Sequence, residues 1–199
     1  MAGTETLDLK STALLALDFQ NGIVGFVPGA SHIFKPAAET LDAARKASVS
    51  IIHVGLGFRP GYPEITSNHP IFERVRQGDL FLLGSESSSF HNTLSPLEGE
   101  IIVIKHRVSA FSGNDLEMIL RSQGIKTLIF FGISTSGIVL STLRQASDLD
   151  FQCVVVKDAC FDSDDEVHRV LTEKVFPRQA RVVTTERITK EFQTGLRTV

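Results

Sequence analysis

Six short apolar runs divide the chain. Thr12 to Leu17, Val49 to Val54, Ile101 to Ile104 and Thr127 to Phe131 are rich in β-branched or aromatic residues, and Gln152 to Val156 and Arg181 to Thr184 follow. Hydrophobicity in these runs is continuous rather than alternating, as a parallel strand covered on both faces requires. Helical patterns lie between them. Ala37 to Lys46 mixes Ala, Leu and charged residues, and Leu116, Ile119 and Leu120 share one helical face. Val139, Leu140, Leu143 and Ala146 make a second stripe, and Val167, Val170, Leu171 and Val175 a third. Ser112 with Asp115, and Ser163 with Glu166, have capping-box spacing, which predicts one helix start near Gly113 and another after Ser163. Strand and helix alternate throughout. The pattern therefore predicts a six-stranded parallel sheet in a Rossmann-like, doubly wound, three-layer α/β/α sandwich with right-handed crossovers.

One stretch breaks the pattern. Arg59 to Pro96 carries Pro60, Pro63, Pro70 and Pro96 and the serine-rich run Ser85 to Ser89. A connection this long is either a lid over a ligand site or a packed surface excursion with a short helix around Phe72 to Arg76, and the sequence leaves both open.

Length and charge narrow the function. At 199 residues the chain fits one domain, 1–199. A net charge of −3 argues against a nucleic-acid or anionic-membrane partner. Every apolar run is far shorter than the roughly 20 residues that cross a bilayer. Met1 to Lys10 lacks the basic start and apolar stretch of an export signal, and the only cysteines are Cys153 and Cys160, so a reducing, cytoplasmic location is expected. Export without a signal peptide would leave no mark in the sequence. No Cys-x-x-Cys pair is present, and His32, His53, His69, His91, His106 and His168 are scattered. No metal and no cofactor is expected, and His53, inside a strand, reads as a core histidine.

In an open parallel sheet, ligands bind beyond the carboxyl ends of the strands. Asp18 ends the first predicted strand and Lys105 the third, and Ile133 to Ile138 follows the fourth ahead of a helix. A buried carboxylate beside an ammonium has its charge compensated, and each group tunes the other.

Three segments around these positions, Ala13 to Asn21, Lys105 to Phe111 and Gly132 to Thr142, resemble in order and spacing the isochorismatase-like hydrolases. This cysteine hydrolase group includes nicotinamidases and carbamoylsarcosine-type amidases. Asp158-Ala159-Cys160 matches the family's turn after the fifth strand. The resemblance implies that Asp18 and Lys105 are catalytic and that Gln20, Phe58, Arg59, Phe111, Ile133, Ser134 and Gly137 line a pocket for a small-molecule substrate. It further implies a cis peptide at Ile133–Ser134, a backbone cradle for an oxyanion near Ile138, and a homo-oligomer, dimer or tetramer. The nicotinamidase branch holds a metal through an Asp-x-His cluster, which this chain lacks.

The chain departs from the family at one position: where most members carry the nucleophilic cysteine stands Ile138. An alkyl group cannot attack a carbonyl, and Cys153 and Cys160 read as small buried hydrophobes. Isochorismatases proper also lack this cysteine, because protonating a vinyl ether gives an oxocarbenium ion that water captures. On that pattern Asp18 is the general acid and Lys105 orients it. Those enzymes carry a small Gly at the cysteine position and polar groups after the second strand. Here Ile138 is bulky, Leu56-Gly57-Phe58 offers little polarity, and Arg59 is the obvious carboxylate anchor. Three readings follow: a hydrolase of isochorismate or another small carboxylated substrate, placed first; a silent member that binds a small molecule or partner protein; and an amidase using Ser134, Thr135 or Ser136, whose hydroxyl would need an arranged base.

Overall fold

The structure, a computed structural model, describes residues 7–195. Positions 1–6 of the segment read for an export signal lie outside the described residues. The six apolar runs form six strands: β1 Thr12–Leu17, β2 Ser50–Leu56, β3 Ile101–Lys105, β4 Thr127–Gly132, β5 Gln152–Val156 and β6 Arg181–Val183. They make one sheet in the order β3-β2-β1-β4-β5-β6, every neighbouring pair parallel. The central strands β1 and β4 are buried at every residue, which is why their sequences show no polar alternation. Edge strands need less covering, and Ile102 on β3 is exposed. Among the described residues no helix is long and apolar enough to cross a membrane.

Among the described residues seven α-helices connect or follow the strands: α1 Asn21–Phe26, α2 Phe34–Lys46, α3 Pro70–Gln77, α4 Leu116–Ser122, α5 Leu140–Asp148, α6 Asp165–Val170 and α7 Thr185–Gly195. Chain progression reverses at β1, so right-handed crossovers put α2 on one face and α4, α5 and α6 on the other. Helix α7 packs on α2, where Thr40 and Thr185 share a 3.3 Å hydrogen bond. The sandwich is thereby closed on both sides.

Helix starts differ from the capping pattern. Helix α4 begins at Leu116 rather than near Gly113, because the side chain of Asn114, not Ser112, accepts the Leu116 N–H (3.0 Å). At α6 the cap is Asp164, one residue beyond Ser163, and it accepts from the amides of Glu166 and Val167. The stripe from Val167 to Val175 is also displaced. The helix widens into a π-turn over Leu171–Val175, which changes the angular spacing; Thr172 and Phe176 turn inward and Val167 is exposed.

The segment between β2 and β3 is packed, which favours the second of its two readings. Leu56, Phe58, Tyr62, Phe72, Val75 and Phe81 build a separate apolar cluster around α3. The Tyr62 hydroxyl donates to the Leu80 carbonyl oxygen (2.9 Å) and ties the segment to itself.

The sheet's switch point lies between β1 and β4. There the two backbones approach so closely that a Cβ on Gly132 would collide with the Leu17 carbonyl oxygen. Only glycine fits.

Candidate active site

Asp18 directly follows β1 and has a left-handed backbone (φ 59°). Its amide donates to the Val54 carbonyl oxygen (2.9 Å), and its own carbonyl accepts from Gln20 N–H (2.8 Å). These bonds hold a conformation that a non-glycine residue seldom adopts alone. Lys105 closes β3, in register with Leu56 on β2. Its ammonium reaches past β2 to Oδ2 of Asp18 at 2.9 Å and donates to the Arg107 carbonyl oxygen at 3.0 Å. The two residues are almost wholly buried, 4% and 2% exposed. Burial pushes the Asp18 carboxyl above its ordinary value, against the pull of Lys105. Oδ1 of Asp18 is also buried and, among the described residues, meets no hydrogen-bond donor.

The third element is the turn after β4. The Ile133–Ser134 peptide is cis, and Thr135–Val139 forms a π-turn leading into α5. Ile133 N–H donates to the Leu17 carbonyl oxygen (3.2 Å), so the turn begins beside Asp18. Ile138 lies in this turn and is 2% exposed. Several amides proposed as an oxyanion cradle have internal partners. Ser136 N–H donates to Asp162 (2.7 Å), Gly137 N–H to the Ser134 side chain (3.1 Å), and Val139 N–H to the Ser134 carbonyl (3.2 Å).

The remaining candidate lining residues have differing surroundings. Phe58 is fully buried against Tyr62, Phe72 and His106. The Arg59 side chain is 63% exposed and paired with Glu64. Phe111 stacks on Phe151 in the main core. Gln20 is buried, its amide bonded to backbone groups of Leu56 and Ser88. Ser134 and Gly137 are half-buried in the turn itself.

Sequence reasoning missed His168. Its Nδ1 lies 2.8 Å from the hydroxyl of Thr135, so that hydroxyl does have an arranged imidazole, although Thr135 is fully buried. Local periodicity gives no sign of the contact, which joins residues on different elements. Cys153 and Cys160 are buried, and burial drives both thiols to about 12. His53 bonds Glu100 through Nε2 (2.8 Å), while its Nδ1 has no partner among the described residues. No three His, Cys, Asp or Glu side chains among the described residues converge as a metal site would require. Two open cavities, of about 790 Å³ at the amino ends of the strands and about 610 Å³ between α2 and α7, do not include the Asp18–Lys105 pair.

A parallel sheet ordered about a β1/β4 switch point, with a carboxylate and an ammonium meeting above it, is the arrangement expected of the isochorismatase-like class. The isochorismatase domain model matches residues 12–187, and the chain belongs to the isochorismatase family of hydrolases. It is 30% identical over 193 residues to the uncharacterized isochorismatase family protein YwoC of Bacillus subtilis, covering 97% of this chain and 100% of that one. It is 31% identical over 180 residues to ureidoacrylate amidohydrolase RutB of Azorhizobium caulinodans, covering 79% of each. An isochorismatase family protein from Burkholderia thailandensis superposes with a TM-score of 0.81 at 28% identity, covering 94% and 98% of the two chains. The N-carbamoylsarcosine amidase of Thermoplasma acidophilum superposes with a TM-score of 0.75 at 25% identity, covering 88% and 97%.

Proposed function

We propose that the chain hydrolyses a small substrate through acid catalysis by Asp18, with water as the nucleophile and no covalent protein intermediate. One observation carries this reading: Lys105 holds one oxygen of the Asp18 carboxyl, while the other is buried and, among the described residues, without a donor. A carboxyl whose pKa burial has raised keeps its proton more readily, and its free oxygen can deliver that proton to a substrate. Isochorismate is the representative substrate. Protonation of its vinyl ether methylene carbon by Asp18 gives an oxocarbenium ion; water adds to it, the hemiketal collapses to pyruvate and the alcohol, and the released proton restores Asp18. Lys105 orients the carboxyl and balances its charge once the proton has left.

Ile138 favours a second reading. A buried alkyl group at the position the family resemblance gives to the nucleophile suits a member that binds a small molecule without turning it over. Purified protein incubated with isochorismate, ureidoacrylate or N-carbamoylsarcosine separates the two, with pyruvate and ammonia release as readouts. Release of pyruvate from isochorismate that is abolished by Asp18→Asn supports the acid mechanism. Release that survives Asp18→Asn, or none from the wild type, refutes it. In the latter case a thermal shift with the same compounds would favour the binder.

A further inference from the structure

Gln20 stands two residues beyond Asp18, and the family resemblance assigns it to the substrate. Its surroundings suit another task. The residue is 0% exposed. Nε2 donates to the carbonyl oxygens of Leu56 (2.8 Å) and Ser88 (2.7 Å), and Oε1 accepts from Leu56 N–H (2.7 Å). Both amide protons and one carbonyl lone pair are thus committed to backbone. By exchanging both bonds with Leu56, the side chain acts as a paired strand residue would. Gly55 provides the room, since a Cβ there would come within 2.9 Å of Nε2.

The clamp sits between the two members of the ion pair. Gln20 N–H donates to the Asp18 carbonyl oxygen, and Leu56 is the register partner of Lys105. Sheet pairing of β1 ends at Leu17, and beyond it the left-handed Asp18 turn is tied to β2, the strand beside Lys105, by the bond from Asp18 N–H to the Val54 carbonyl oxygen and by the Gln20 clamp. The bond to Ser88, with Asn21 N–H donating to Ser89 O (2.9 Å) and His91 N–H to Phe19 O (2.8 Å), also seats the β2–β3 segment on this turn.

We propose that Gln20 is a positioning residue that holds Asp18 in register with Lys105 and makes no contact with substrate. The proposal rests on the hydrolytic reading for its kinetic readout alone. Gln20→Met keeps the side-chain length and removes the three bonds. In that variant kcat is expected to fall at least tenfold with KM within twofold of wild type. The carboxyl resonance of Asp18, followed by ¹³C NMR, is expected to titrate at higher pH as Lys105 ceases to compensate it. A substrate-binding Gln20 would instead raise KM and leave the Asp18 titration in place, which overturns the proposal.

Gln20→Glu provides a second test. Its protonated carboxyl accepts from Leu56 N–H and donates one hydrogen bond, whereas its ionised form faces two carbonyl oxygens. The neighbours Gly55, Leu56, Ser88 and Phe90 carry no charge, and the titratable groups of the site are Asp18, on the same turn, and Lys105, which closes β3. Measured against wild type at each pH, activity and the Asp18 titration are expected to approach normal on the acid side and depart from it as pH rises. A profile parallel to wild type overturns the proposal, as does failure of both variants to fold, which would make Gln20 a residue of the fold at large. If the wild type turns over no substrate, the hydrolytic reading fails by itself, and the NMR titration still decides the role of Gln20.

Discussion

The ammonium of Lys105 stands 2.9 Å from Oδ2 of Asp18, although β2 separates the strands that carry them. The side chains are only 3% and 6% exposed, so each charge is the other's principal compensation. Removing one partner of such a pair leaves an uncompensated buried charge, at about 3–5 kcal/mol. At pH above the folded pKa of Asp18, where both groups are charged, Lys105→Met and Asp18→Asn are each expected to destabilise by that order, and the double variant by clearly less than the sum. Urea unfolding of the four proteins measures the coupling; simple additivity would mean that the pair does not interact.

The raised pKa of Asp18 fixes the sign of a pH effect. The folded protein keeps a proton that the unfolded chain gives up near 3.8. The stability this group contributes is therefore full below 3.8 and is lost as pH rises through the folded value. Catalysis by the acid form runs the same way. The rate is expected to be flat on the acid side and to fall about tenfold per pH unit above the folded pKa of Asp18. A rate that climbs with pH through that range would instead make the carboxylate a base.

Glu100 carries the opposite sign. Burial raises its pKa, but hydrogen bonds from Arg45, the Leu97 amide and His53 outweigh burial and bring it down to about 2. Its contribution is present above the ordinary value of 4.5 and is lost as pH falls toward 2. Glu100→Gln is expected to lower stability at neutral pH by about 1.5–3 kcal/mol, the range for hydrogen bonds to a charged group. It should also flatten the loss between pH 4.5 and 2, as followed by thermal unfolding across that window.

Ile138→Cys puts a thiol where the family resemblance expects one. Removing buried alkyl bulk there should destabilise by about 1–2 kcal/mol. Ammonia release from ureidoacrylate or N-carbamoylsarcosine is expected to appear in this variant and to vanish again when Asp18→Asn is added. A folded but silent Ile138→Cys protein would mean that more than the nucleophile has changed.

Strand content was read most directly, because full burial on both faces leaves continuous apolar runs such as Thr12–Leu17 and Gln152–Val156, both observed as expected. Asp18 and Lys105 were legible for a related reason: each is the polar residue at which an apolar run stops. Helix α7 was missed although Thr185, Ile188 and Phe192 share a buried face, because its charged residues masked the period. Helix α1, six residues with two glycines, gave almost no signal. The capping errors at Ser112 and Ser163 arose where neighbouring Asn114 and Asp164 competed for the same amides. The contacts of Gln20 and His168 are with partners 36, 68 and 33 positions away, a relationship no local period encodes.

The tight meeting of β1 and β4 at Gly132 sets a limit on what this chain can change. A methyl group at 132 would wedge the central strands apart and carry the Asp18 turn away from the loop bearing Ile138. At 138 a hydrocarbon side chain packs within the turn, but the single hydrogen at 132 has no substitute. The closeness of two backbones, more than any side chain around them, is what this end of the sheet cannot give up.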